Sequence, residues 1–238
     1  MNRGNGRMSI FDDEEDFEAF ERILIEALHR YPEVQLIAYC VMPNHWHVIL
    51  HPLEDRVLSR FMGWLTLTHT TRWQTYRGMV GQGHLYQGRF RSFMVQPGGH
   101  FKKVCHYVER NALRANFVKR AEDWKYSSLW RWHSGTSGQR LILSPWPDPP
   151  SRRPPGWLEL VNRPQDEKEL AAIRLCSKRD RPYGEGGWRD VVIKQYGLES
   201  TLRPRGRPPF RVLLKSWLLS SKGRIKGMPL FAPKKARS

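Results

Sequence analysis

The spacing of apolar and polar positions changes period several times along the chain, and each change marks an element. Between Phe11 and Pro32, the residues Phe17, Phe20, Ile23, Leu24, Ala27 and Leu28 recur at helical spacing and make one apolar face. Asp12, with Glu15 three positions on, predicts a capped start, an Asp variant of the capping box, and Pro32 predicts the stop. "VQLIAYCV" (34–41) is apolar on both faces, the pattern of a central strand. "MPN" predicts a turn, and residues 45–51 a second strand antiparallel to the first. Residues 55–77 predict a helix with Val57, Phe61, Leu65 and Thr68 on one side. A glycine-rich loop, "GMVGQGH", leads to a predicted third strand, "YQGRFRSFMV", spanning roughly 89–96. A helix follows through "PGGHFKKVCHYVERNALRAN", with Asn116 as a left-handed cap. The order helix, two strands, helix, strand, helix predicts an α+β fold with an antiparallel sheet.

From about residue 134 the composition shifts. "SGTSGQRLILSPWPDPPSRRPPG" (134–156) is rich in Pro, Gly and Ser and predicts a linker or irregular arm. "RPQDEKELAAIRLCSKRDRP" and "WRDVVIKQYG" predict two short helices, the second closed by Gly197. The expected organisation is a catalytic domain over 1–133, the arm, a small helical region over 157–202, and a basic, disordered tail over 203–238.

Composition sharpens this picture. The chain has 238 residues, a formal net charge of +17 and a pI of about 10.2. That excess points to an anionic partner, most often nucleic acid, and Arg is interleaved with aromatics in "RFRSFMV" and "WKYSSLWRWH". Three cysteines without CxxC spacing predict reduced thiols and argue against a structural zinc site. The first residues hold no apolar leader, and no run approaches the ~18–20 apolar residues of a membrane span. A cytoplasmic, nucleoid-associated protein is expected.

Candidate chemistry begins at "VMPNHWHVILHP" (41–52). Alternation on a strand puts His45, His47, Ile49 and His51 on one face and Trp46, Val48 and Leu50 on the other. Two imidazoles so placed can reach one metal ion, or can be two hydrogen-bonded histidines at a strand end. At about 100° per residue, Phe101, Val104, Cys105, Val108 and Ala112 form the core stripe of the later helix. Tyr107 and Asn111 lie together on its flank, with Lys103, Arg110 and Arg114 further round.

"MPNHWHVILHP", "LYQGRFRSF" and "HYVERNALRANFV…WKYSSL" together resemble the REP-associated tyrosine transposases, members of the single-tyrosine HUH superfamily. The resemblance runs from about Asn2 to Trp130, with a weaker echo in "ELAAIRLCSKRDRPYGEGGW" and "LESTLRPRGRP". It implies a ferredoxin-like antiparallel sheet with helices on one face. It implies cleavage and rejoining of single-stranded or hairpin DNA through a 5′-phosphotyrosine, by a monomer or homodimer. Tyr107 would be the nucleophile, and His45, His47 and Asn111 the ligands of Mg²⁺ or Mn²⁺. Gln87, Arg89, Arg91, Arg110, Arg114, Lys125 and Trp130 are candidate DNA contacts on a basic groove with aromatic platforms. "RPRGRPP" (203–209) resembles an AT-hook, adding Arg203, Arg205 and Arg207 as minor-groove contacts; it also reads as a plain basic tail. The sequence departs from the family pattern at Ala112, where Pro is usual, and at Asn116, where Gly is usual. The family also begins with a strand ahead of the "NRGN" turn, so the first strand of the sheet is expected to be absent here and a longer reading frame to supply it. A DNA-binding protein with weakened turnover, or a structural RNA-binding domain, are the competing readings.

Overall fold

A computed structural model describes residues 1–147 and 151–203, and the chain divides into a unit over Met1–Leu202 and a second over Arg203–Ser238. In chain order the first unit contains β1 (Asn2–Arg3), α1 (Glu14–Arg30), β2 (Val34–Met42), β3 (His45–Pro52), α2 (Val57–Tyr76), α3 (Gly99–Glu109) and α4 (Asn111–Arg114). Then come α5 (Ser128–His133), α6 (Ser137–Arg140), α7 (Trp157–Asn162), α8 (Glu167–Arg179) and α9 (Gly186–Tyr196). The sheet is antiparallel in the order β1-β3-β2.

α1 starts one residue later than the sequence suggests. Asp13, not Asp12, is the cap: its carboxylate accepts from the Asp16 amide at 3.0 Å, and Asp16 reaches back to accept from the Asp12 amide at 2.8 Å. Asp16 thus takes the N3 place in the cap, but it accepts from the amide before the cap residue, so the reciprocal box is left open. Phe17, Phe20, Ile23, Leu24 and Ala27 are buried as the spacing requires.

β2 is buried along nearly all its length because helices cover both faces of the sheet. A bulge between Leu36 and Ala38 resets its alternation. Leu36, Tyr39 and Val41 therefore join α1, α2 and Trp46 on one side. Ile37, Cys40 and Met42 face α3 and the later helices on the other. The expectation of helices on one face holds for α1 and α2; α3 packs on the opposite face, through Phe101, Val104, Cys105 and Val108. The three cysteines are buried.

Two expectations about the sheet need correction. The first strand is present as a stub. Asn2 pairs with Trp46 and Arg3 with His45, so residues 1–5 occupy the slot beside β3. The other edge of that stub meets the segment predicted as the third strand: the amides of Gln87 and Arg91 donate to the carbonyls of Arg3 and Met1, both at 2.9 Å. Gly4 fits this crowded stitch because a Cβ would sit 2.5 Å from the Met8 carbonyl oxygen. That third segment is extended but is not a strand. It touches the rest of the structure through isolated bridges, Gly4 with Tyr86 and Val95 with Tyr183.

The helix read as continuous through Asn116 breaks at Arg110 (φ −82°, ψ 0°), separating α3 from α4. Asn116 is left-handed (φ 60°), as its cap role requires. α8 and α9 fall where the two later helices were read, with Gly197 left-handed at the end. No helix among the described residues is long and apolar enough to cross a membrane.

Candidate active site at the histidine strand

β3 presents its residues with period two. Trp46, Val48 and Leu50 pack toward α1 and α2, while Ile49 packs toward α3, and His45 and His47 share its side. The imidazole centroids stand 5.1 Å apart at 81°. Behind them, Trp46 is fully buried and its indole N–H donates to the Tyr86 hydroxyl at 3.0 Å. Tyr86 in turn lies 2.6 Å from His69 Nδ1 on α2. His69 replaces Thr68 as the buried polar residue of that helix.

Both site histidines are held neutral. Burial, then Arg3, Arg114 and the Met1 amine, push His45 down to about 4. Burial first, then His45 and the same cations, hold His47 well below its ordinary range. Neutral imidazole is the form that ligates metals. His45 Nδ1 lies 2.6 Å from the Asn44 carboxamide oxygen, a contact that holds the proton on Nδ1 and leaves Nε2 with a lone pair.

The helix on the opposite wall brings Tyr107 to this pair. Its half-buried ring meets His47 edge-on, with centroids 5.7 Å apart. Asn111 is buried, four residues on but across the break at Arg110. Arg114 links the two: its guanidinium carbon lies 4.2 Å from the Tyr107 ring centroid, Nη2 donates to Asn111 Oδ1 at 2.6 Å, and Nη1 approaches the Tyr107 carbonyl at 3.4 Å. Asn111 Nδ2 is buried with no partner among the described residues. No set of three His, Cys, Asp or Glu side chains suited to a metal gathers among the described residues, and Asn111 Oδ1 already accepts from Arg114 Nη2. Two imidazole nitrogens and an amide oxygen suit a divalent ion that keeps open positions.

Of the other sequence candidates, Gln87 and Arg89 are exposed on the segment stitched to β1. Arg91 pairs with Asp180 at 3.0 Å. Arg110 donates to the carbonyls of Val161 and Asn162, tying α3 to α7. Lys125 turns to α1, 3.0 Å from Glu18 and 3.6 Å from Glu14. Trp130 is half-buried in α5, and Arg203 is exposed. Arg205 and Arg207, and most of the AT-hook-like stretch, lie outside the described residues.

Two groups escaped the sequence reading. Arg3 stands opposite His45 in register, which only strand pairing reveals. Glu109, fully buried two residues after Tyr107, accepts from Ser128 Oγ at 2.7 Å, Trp157 Nε1 at 2.7 Å and Arg153 Nη2. A cavity of about 570 Å³ opens beside His47 and Tyr107 and runs between β3 and the extended segment, past Phe90, Phe93 and Val95.

Residues 1–111 match the family model described as "Transposase IS200 like". The match includes both histidines and Tyr107 and ends on Asn111, and it supports the transposase family for that part of the chain. No curated protein and no solved structure matches.

Proposed function

We propose that this chain is a REP-associated tyrosine transposase that nicks and rejoins single-stranded, hairpin-forming DNA. The observation that carries the reading is the meeting of the Tyr107 ring with His47, under the Arg114 guanidinium. Tyr107 Oη attacks the scissile phosphorus, forming a 5′-phosphotyrosine as the P–O3′ bond breaks and the 3′ oxygen takes a proton. One phosphodiester is exchanged for another, so no nucleotide triphosphate is needed, and rejoining is the same step reversed by a 3′-OH. His45, His47 and Asn111 would hold Mg²⁺ or Mn²⁺, which would polarise the phosphate and offset its growing charge. The seating of Tyr107 and Asn111 by Arg114 keeps the nucleophile oriented, and misplacement of ~1 Å can cost ~10²-fold in rate. The stub Asn2–Arg3 fills the position whose loss would favour a binding protein without turnover.

The test is one gel. Labelled single-stranded hairpin DNA is incubated with the protein and Mn²⁺, and a covalent adduct that survives denaturant is the expected product. Tyr107→Phe should bind DNA and form none. An adduct with the Phe variant would show that another residue is the nucleophile.

A further inference from the structure

Two arginines at this site have no acidic partner among the described residues. Arg3 lies opposite His45, and directly opposed residues of an antiparallel pair share a face, so its side chain belongs to the histidine face. It is half-buried, and its Nε is buried without an acceptor among the described residues. Arg114, also half-buried, meets the Tyr107 ring and carbonyl and the Asn111 carboxamide, with no carboxylate in an ion pair to it among the described residues. Other enclosed guanidinium groups do face carboxylates, while Arg110 is satisfied by backbone carbonyls. Arg131 pairs with Glu21, Arg153 with Glu109 and Arg77 with Asp16. An enclosed cation without a counter-charge is costly, and here one stands opposite His45 and the other over the Tyr107 ring that meets His47. Such a pair is complete only when an anion arrives, and the planar guanidinium fork matches phosphate oxygens.

We propose that Arg3 and Arg114 form a two-guanidinium clamp that grips the non-bridging oxygens of the scissile phosphodiester, one from β1 and one from α4. The proposal rests on the reading of Tyr107 as nucleophile. It separates these two from the groove-lining cations, because they act on the reacting phosphate itself. Both arginines stay charged throughout; they neutralise the negative charge that concentrates on the phosphate oxygens as Tyr107 Oη bonds to phosphorus.

Two measurements test it. In a Tyr107→Phe background without metal, binding of a 12-nucleotide single strand is followed against salt. Arg3→Gln and Arg114→Gln should each lower the log–log slope by ~0.7, the loss of one phosphate contact. Second, adduct formation is timed on a strand whose mapped scissile linkage is either an ordinary phosphodiester or a neutral methylphosphonate. Either Gln variant should slow the phosphodiester by ~10²–10³-fold, the usual cost of removing a donor to a developing oxyanion. It should slow the methylphosphonate far less, since no anionic oxygen remains to grip. Arg→Lys variants, which keep the charge and lose the fork, should fall between, and melting curves check that each variant folds. Unchanged salt slopes, or equal losses on the two linkages, would overturn the clamp. If the unaltered protein forms no adduct on any strand, the nucleophile reading fails, and the slopes alone decide whether the clamp exists.

Discussion

Arg153→Ala should destabilise the protein far beyond what its place in a Pro-rich arm suggests. Its side chain is 6 % exposed and faces the Glu109 carboxylate, which is 0 % exposed. Glu109 also takes the Ser128 hydroxyl and the Trp157 indole, and Ser128 Oγ accepts the Tyr39 amide at 3.0 Å. The guanidinium further covers the Trp132 and Trp146 rings, 5.1 and 5.8 Å from their centroids. Truncating it leaves a buried carboxylate with neutral donors only, a loss of about 3–5 kcal/mol. That is a large share of the ~5–15 kcal/mol that holds a typical domain. At ~2–4 °C per kcal/mol for a unit of this size, Tm should fall by about 10 °C. Urea unfolding followed by tryptophan fluorescence gives the free energy from the midpoint and slope. Adding Glu109→Gln removes the stranded charge, so the double variant should lose clearly less than the sum of the two single losses. A single-variant loss below ~1 kcal/mol, or strict additivity, would refute the idea that this arm is anchored to the Tyr107 helix by a buried charge.

Burial pushes His69 down to about 3 in the folded protein, against an ordinary value of 6.5. The unfolded chain therefore binds a proton below pH 6.5 that the folded one refuses, so this residue's contribution is intact above 6.5 and is lost as pH falls toward 3. Urea midpoints of His69→Gln should depend less on pH between 6.5 and 4, by up to ~1.4 kcal/mol per pH unit; the same dependence in both proteins would contradict the assignment. Lys125→Ala should leave single-strand affinity unchanged in fluorescence anisotropy, because its ammonium pairs with Glu18 and Glu14 on α1. A clear fall in affinity would put Lys125 in the DNA path after all.

Periodicity made much of the scaffold legible. The helical face of Phe17–Ala27, the two-sided burial of 34–41 and the alternation at 45–51 each follow from spacing within one segment. So does the core stripe of α3. What spacing could not supply was any relation set by a partner elsewhere in the chain. "YQGRFRSFMV" has strand composition, yet its neighbour is the two-residue β1, and beyond Arg91 no ladder with it continues among the described residues. Arg3 read as part of a turn, because its pairing with His45 spans more than forty residues. Arg153 read as linker chemistry, because nothing in the local sequence announces a buried glutamate in α3. Tyr107 and Asn111 share a helix flank by spacing, but their roles came from the resemblance, and the break between them at Arg110 has no local proline or glycine to announce it.

The cluster at His45 and His47 holds neutral imidazoles, a carboxamide and two guanidinium groups with no acidic partner among the described residues. A divalent ion entering the proposed ligand set would meet no opposing charge from His45, His47 or Asn111, and would be repelled by Arg3 and Arg114. A phosphodiester gripped by those arginines would reverse the sign of its surroundings. Ion and strand should then bind as a cooperative pair. Whatever factor the strand adds to the ion's affinity, the ion must add to the strand's.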